Sequence, residues 1–158
     1  MKDSDIDFTI KMCEAHLKAV DTPEKALIEL YLTRYLLVFI VNKFENRINQ
    51  IILKHVQCSQ GGHKINNYFE IKTKTEYKGK TTSKLCAYLE IFGKQYSDAF
   101  KKKTTSKGNE LSVSHYNSII MNRHGTAHAR VSELKFNDVV RYYKEAHKVL
   151  DLLDSSLK

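Results

Sequence analysis

The chain has 158 residues, 42% of them hydrophobic and 28% charged, with a single proline and six glycines. That is one domain's worth of sequence, apolar enough to bury a core without disulfides or metals and too apolar to be disordered. The net charge of +8 is concentrated in the middle third, where residues 51–108 carry the whole excess.

A concentrated basic segment points to a polyanion, nucleic acid being the usual one, with a solvated lysine-rich loop as the alternative. Cys13, Cys58 and Cys86 are odd in number and lack CxxC spacing. With no signal peptide in view, they read as small buried residues in a reducing cytosol rather than a disulfide scaffold. The most apolar run, Leu36 to Val41, is six residues shut in by Arg34 and Lys43, against roughly 18 for a membrane span. No membrane association is expected, and the location is expected to be cytoplasmic.

Few breakers favour long helices. Ile6, Ile10, Cys13 and Leu17 recur at helical steps and predict a first helix over residues 3–19. Asp21-Thr22-Pro23-Glu24 is a start signal, with a capping residue, an early proline and a glutamate three after the aspartate. From there to Gly61 nothing interrupts the pattern, which predicts a helix over about 23–57, long enough that a bend is expected. Residues 64–80 read equally as an edge strand or as a short helix followed by a loop. Thr81-Thr82-Ser83 opens the next helix, carrying Leu85, Tyr88, Leu89, Phe92, Tyr96 and Phe100 and closed by Lys101-Lys102-Lys103, cations suited to a helix C-terminus. Residues 111–128 form another helix, and 136–155 a last one. The expected fold is all-α, a single-domain up-and-down bundle of four to five helices over residues 1–158.

The string Met121-Asn122-Arg123-His124-Gly125-Thr126-Ala127-His128-Ala129-Arg130 holds two arginines and two histidines near the end of an apolar-faced helix. Gly125 weakens that helix by about 1 kcal/mol relative to alanine, so a bend or an end is expected there. A polar cluster suited to the helix dipole is one reading. A metal site is another, because His124 and His128 share a helix face. That reading lacks the glutamate of HExxH and a nearby third ligand, so no metal and no cofactor are expected. The third is phosphodiester chemistry. Arginine grips phosphate with a fixed fork, and histidine moves protons near neutrality. Arg123 and His128 lie about 140° apart on a regular helix and about 7.5 Å along its axis, a spacing that can flank one phosphate.

Arg123 to His128, with four residues between, resembles the Arg-x4-6-His motif of HEPN domains (higher eukaryotes and prokaryotes nucleotide-binding). The motif's polar second position is His124 here. The frequent Arg-Asn…Ala-His-Gly form appears as Arg-His…Ala-His-Ala, ending on Ala129. A second pair, Arg141 and His147, sits mid-helix with Tyr142 in the second position and is better explained by helix registry. Motif helix, short connector, last amphipathic helix and a long upstream helix with Phe44-Glu45-Asn46-Arg47-Ile48 together look like the RiboL-PSP-HEPN type.

The resemblance implies a metal-independent endoribonuclease that leaves a 2′,3′-cyclic phosphate and a 5′-hydroxyl. It implies two motifs meeting in a homodimer, and a role as toxin or phage-defence effector with an antitoxin or defence-system partner protein. The implied catalytic residues are Arg123, His128 and His124. Asn122 and Glu45 are supporting, Glu45 matching an acidic residue that many HEPN domains keep, where it can orient Arg123; a surface pairing with Arg47 is its alternative. The expected RNA contacts are Lys101, Lys102, Lys103, Lys107, Arg130 and Tyr116. The motif helix and last helix are expected at the dimer interface, with Tyr116, Tyr142 and Tyr143 either walling its groove or sitting in the core. A non-catalytic HEPN-like module binding a nucleotide, RNA or a protein is the alternative function.

Overall fold

The computed structural model describes residues 3–58, 79–127 and 134–158, with 125–127 in backbone only. Helix α1, Ser4–Ala19, is capped by Asp3, whose carboxylate accepts the Asp5 N–H at 2.9 Å, and it carries Asp5 and Asp7 in its first turn. Both features satisfy or complement the unpaired N–H groups of a helix start. It buries Ile6, Ile10 and Cys13.

Helix α2, Lys25–Cys58, runs unbroken for 34 residues, about 50 Å. It is the spine of the fold and packs against α1 and most of the later helices. Its buried row includes Leu37, Ile40, Phe44, Ile48 and Ile52.

The single helix expected from Thr81 to Lys103 is two: α3, Thr82–Leu89, and α4, Lys94–Thr104. Gly93 makes the break. It sits at φ 136° and ψ 140°, a conformation essentially reserved for glycine. The preceding turn is closed by Phe92 N–H to Leu89 C=O at 3.0 Å and Gly93 N–H to Glu90 C=O at 3.1 Å. The change of direction lets Leu85, Leu89 and Phe100 all reach the core.

Helix α5 is Glu110–Ala127. The last expected helix is also divided, into α6, Phe136–Ala146, and α7, Lys148–Ser156. His147 separates them while keeping right-handed helical angles, φ −60° and ψ −24°, so the chain is loosened there rather than turned. Its amide bond to Tyr143 C=O is long, 3.5 Å, and its Nδ1 lies 3.4 Å from the same carbonyl.

These are seven helical segments among the described residues, and no strand. The all-α class holds; the count exceeds four to five because two runs that are continuous in hydrophobic period are interrupted. Residues 64–78 of the ambiguous segment lie outside the described residues. Of the cysteines expected to be buried, Cys13 is, Cys86 is half-buried and Cys58 is exposed on the last turn of α2. No described helix is long and apolar enough to cross a membrane.

Phe44 is the centre of the core. Its ring stacks on Tyr116 of α5 at 5.7 Å and on Tyr143 of α6 at 6.3 Å. Both tyrosines are fully buried, and both hydroxyls find backbone at the edge: Tyr116 O–H donates to Lys80 C=O at 3.0 Å, and Tyr143 O–H accepts the Asp3 N–H at 3.2 Å. Buried phenols need such partners. Burial pushes the Tyr143 phenol up to about 12.

Candidate active site

Helix α5 continues through Gly125 to Ala127, so it does not end at the glycine. Arg123 follows Tyr116, Ile119 and Ile120 by seven, four and three residues and so continues the row that faces the core. It is half-buried and forms no ion pair with a described residue. His124, one residue on, is turned by about 100° and continues the row of Asn117 and Ile120.

That second row holds a stretch of backbone, residues 79–82, against α5. Asn117 Oδ1 accepts the Thr82 N–H at 2.9 Å, capping α3 from another helix where Thr81 makes no side-chain cap bond. Tyr116 O–H takes the Lys80 carbonyl. His124 Nε2 meets the Gly79 carbonyl at 2.9 Å. A carbonyl only accepts, so Nε2 carries the proton. From the other side, Glu45 Oε1 of α2 accepts the Gly79 N–H at 2.6 Å. Both polar groups of Gly79 are thus held, one by α2 and one by α5. A Cβ at Gly79 would stand 2.9 Å from His124 Nε2, and φ there is +54°, so the close approach and the backbone angle both call for glycine.

This arrangement alters several expectations. His124, expected to be catalytic, has its Nε2 committed to the Gly79 carbonyl. Glu45, expected to orient Arg123, accepts from Gly79 instead. Tyr116 cannot stack on a base, because its ring is fully buried against Phe44; Tyr143 is buried in the same way. Tyr142 is half-buried and stacks on His115 at 4.2 Å. Asn122 donates from Nδ2 to Ser118 C=O at 2.9 Å on its own helix. His128 and Arg130 lie outside the described residues.

The lysines are elsewhere. Lys101 and Lys102 are exposed, and Lys103 Nζ bonds Ser155 Oγ of α7 at 2.7 Å. With Lys107 they stand at the end of α4 and in the turn before Glu110, so they flank the start of α5. Arg123 is about 20 Å further along that helix. Closeness in sequence to the motif helix is closeness to its far end.

The sequence reading missed Gly79 and Asn117. Gly79 stands between two lysines in a segment without hydrophobic period, and Asn117 reads as a solvent-facing polar position. Neither carries a local signal, since each acts on a residue more than 30 positions away. Arg141 of the second Arg–His pair is bound to Asp138 at 2.8 Å on its own helix, in keeping with helix registry.

Among the described residues no three histidines, cysteines or carboxylates gather in a way that could hold a metal ion. A family model described as RiboL-PSP-HEPN matches residues 5–158. No curated protein and no solved structure matches the chain significantly.

Proposed function

Since the chain belongs to the RiboL-PSP-HEPN family, we propose that it is an endoribonuclease in which Arg123 grips the scissile phosphate and His128 transfers the protons. The observation that supports this division of labour is the different state of the two neighbours on α5. Arg123 is half-buried and forms no ion pair with a described residue, while His124 is hydrogen-bonded to Gly79. In this reading the arginine is left to the phosphate and the histidine beside it serves the scaffold.

In the reaction the ribose 2′-hydroxyl attacks phosphorus as a histidine base takes its proton. The 5′-oxygen leaves with a proton from a histidine acid, giving a 2′,3′-cyclic phosphate and a 5′-hydroxyl. The guanidinium stabilises charge on the equatorial oxygens. One His128 cannot be base and acid at once on opposite sides of phosphorus, so two copies of the chain supply the two histidines, in a homodimer. This chemistry needs no metal. Its biological setting in this reading is a toxin–antitoxin or phage-defence system.

The test is cleavage of single-stranded RNA by purified protein in EDTA, with His128→Ala as control. Cleavage by wild type, lost in the variant and ending in cyclic phosphate, supports the reading. A His128→Ala protein as active as wild type, or activity abolished by EDTA, overturns it.

A further inference from the structure

Helices α3 and α4 pack against each other across the Gly93 break and line a cleft of about 410 Å³, large enough for a small organic ligand. The α3 wall offers Cys86, Ala87 and Glu90, and the α4 wall Ser97, Asp98 and Lys101. Both sets recur at steps of three and four, so each is one helix face. Val113 of α5 closes the lining. It stands ten residues before Arg123, about 15 Å along the helix, so the cleft is separate from the motif.

The polar groups of this cleft are unused by the fold. Ser97 is only 5% exposed, yet its hydroxyl has no hydrogen-bond partner among the described residues. A buried hydroxyl left so costs stability, and the cleft is where its bond can be made. The side chains of Glu90, Asp98 and Lys101 likewise form no ion pair or hydrogen bond with a described residue. Thr82 and Thr104, which also line the cleft, are by contrast bonded to Asn117 and to the Phe100 carbonyl.

The charges are sorted. Residues 80–108 contain seven lysines and two acids. Both acids, Glu90 and Asp98, line the cleft, while Lys84, Lys94 and Lys102 are exposed on the same two helices. Burial holds the Cys86 thiol above its usual value; Lys101 opposes that rise and Glu90 adds to it. The lysine of one wall and the carboxylate of the other therefore act on the same point.

A basic surround favours a polyanion and repels a basic peptide, the other ligand that two carboxylates suit. What enters must bring donors to a carboxylate and acceptors to an ammonium. Among RNA bases guanine does both. Its N1–H and N2–H₂ stand side by side for a carboxylate, and its O6 and N7 accept from lysine. Adenine and cytosine set their amino group beside an acceptor nitrogen, and uracil sets its N3–H between two carbonyls. Each of these turns a repelling acceptor toward the carboxylate.

We propose that the α3–α4 cleft holds a guanine base of single-stranded RNA, with Glu90 accepting from N1–H and N2–H₂, Lys101 donating to O6 and N7, and Ser97 and Asp98 facing the ribose hydroxyls. Unpaired bases of single strands are read in this way, on their edges. The proposal gives the ribonuclease reading above a base preference, and it rests on that reading for the link to cleavage. At about 3.4 Å for each stacked nucleotide, 15 Å places the guanine about four nucleotides from the scissile phosphate.

Fluorescence anisotropy at fixed salt tests it, on the full-length His128→Ala chain so that cleavage does not intervene. Octauridylate with one central guanosine should bind at least about tenfold more tightly than octauridylate with one central adenosine. Glu90→Gln, at an exposed position, should bring that ratio below about threefold. Ala87→Phe, also at an exposed position, fills the cleft and should do the same; it carries the test if the Glu90 variant fails to fold. A ratio near one before either change, or a tenfold ratio that survives either change, overturns the proposal. So does binding of free 5′-GMP without a preference in RNA, since the cleft then serves a free nucleotide. Cleavage by wild type separates the two readings. Guanine preference in a protein that cleaves nothing defeats the ribonuclease and leaves the cleft standing; cleavage without guanine preference defeats only the cleft.

Discussion

Gly79 and His124 are joined by a 2.9 Å hydrogen bond across 45 residues, and the same imidazole nitrogen would lie 2.9 Å from any Cβ placed on that glycine. The backbone entering α3 is laid so closely on α5 that a hydrogen atom is all that fits between them. With Glu45 on the amide side, the contact ties the turn of α5 that carries Arg123 to the long helix α2.

Gly79→Ala should therefore destabilise the protein by about 1–3 kcal/mol, from the positive φ and the collision together. In a His124→Ala background the collision is gone and only the backbone strain remains, so the added cost should be smaller by about 1 kcal/mol. Urea unfolding of the four proteins measures this coupling. Equal costs in both backgrounds would show that the imidazole is not what the methyl group meets.

The two histidines of the motif should separate in kinetics. Arg123→Ala and His128→Ala should each lower cleavage by about 10²–10⁴-fold. His124→Gln keeps an N–H donor at the reach of Nε2, and we expect it to lose less than about tenfold, without shifting the pH–rate profile. A limb of the profile that vanishes with His124 would make it a proton-transfer group and refute its scaffold role.

RNA affinity should fall with salt, with a log–log slope of about −0.7 for each phosphate contacted on a single strand. Reversing Lys101 and Lys102, both exposed, should flatten that slope while leaving the turnover of bound RNA unchanged, because Arg123 is about 20 Å away along α5. An intact slope in the variant would make this segment a solvated helix end and nothing more.

His115 sets a pH dependence of stability. Burial first, and the Arg141 guanidinium second, hold its imidazole below the usual value, opposed by Glu145. Protonation would add an N–H at Nδ1, which is buried without a partner. A histidine whose folded value lies below its unfolded value of about 6.5 contributes fully above that pH. Its contribution is lost as the pH falls from there through the folded value. Wild type should lose more stability than His115→Leu between about pH 7.5 and 5.5. Parallel losses in urea unfolding would refute this. The stack on Tyr142 is removed at both pH values and cancels in the comparison.

Local chemistry determined a good deal of this protein. The apolar steps through Leu37, Ile40, Phe44, Ile48 and Ile52 made α2 legible, as the Ile6–Ile10–Cys13 row did α1, because hydrophobic period is written residue by residue. The Arg123–His128 spacing pointed to the family that the match over residues 5–158 shows. Helix interruption was less legible. Period continues across Gly93, and only the need to aim Leu89 and Phe100 at the same core makes its φ of 136° worth adopting. The partners of polar groups were not legible at all. Asn117 on Thr82, Glu45 and His124 on Gly79, and Tyr116 on Lys80 join residues 34 to 45 positions apart. A side chain's sequence neighbours state which hydrogen bonds it can make; which of them it makes is decided by the backbone that packing brings within 3 Å. So the sequence by itself determined the helical class and pointed to the motif, and tertiary structure decided that of two adjacent motif residues His124 is bonded to the Gly79 carbonyl while Arg123 is half-buried and forms no ion pair with a described residue.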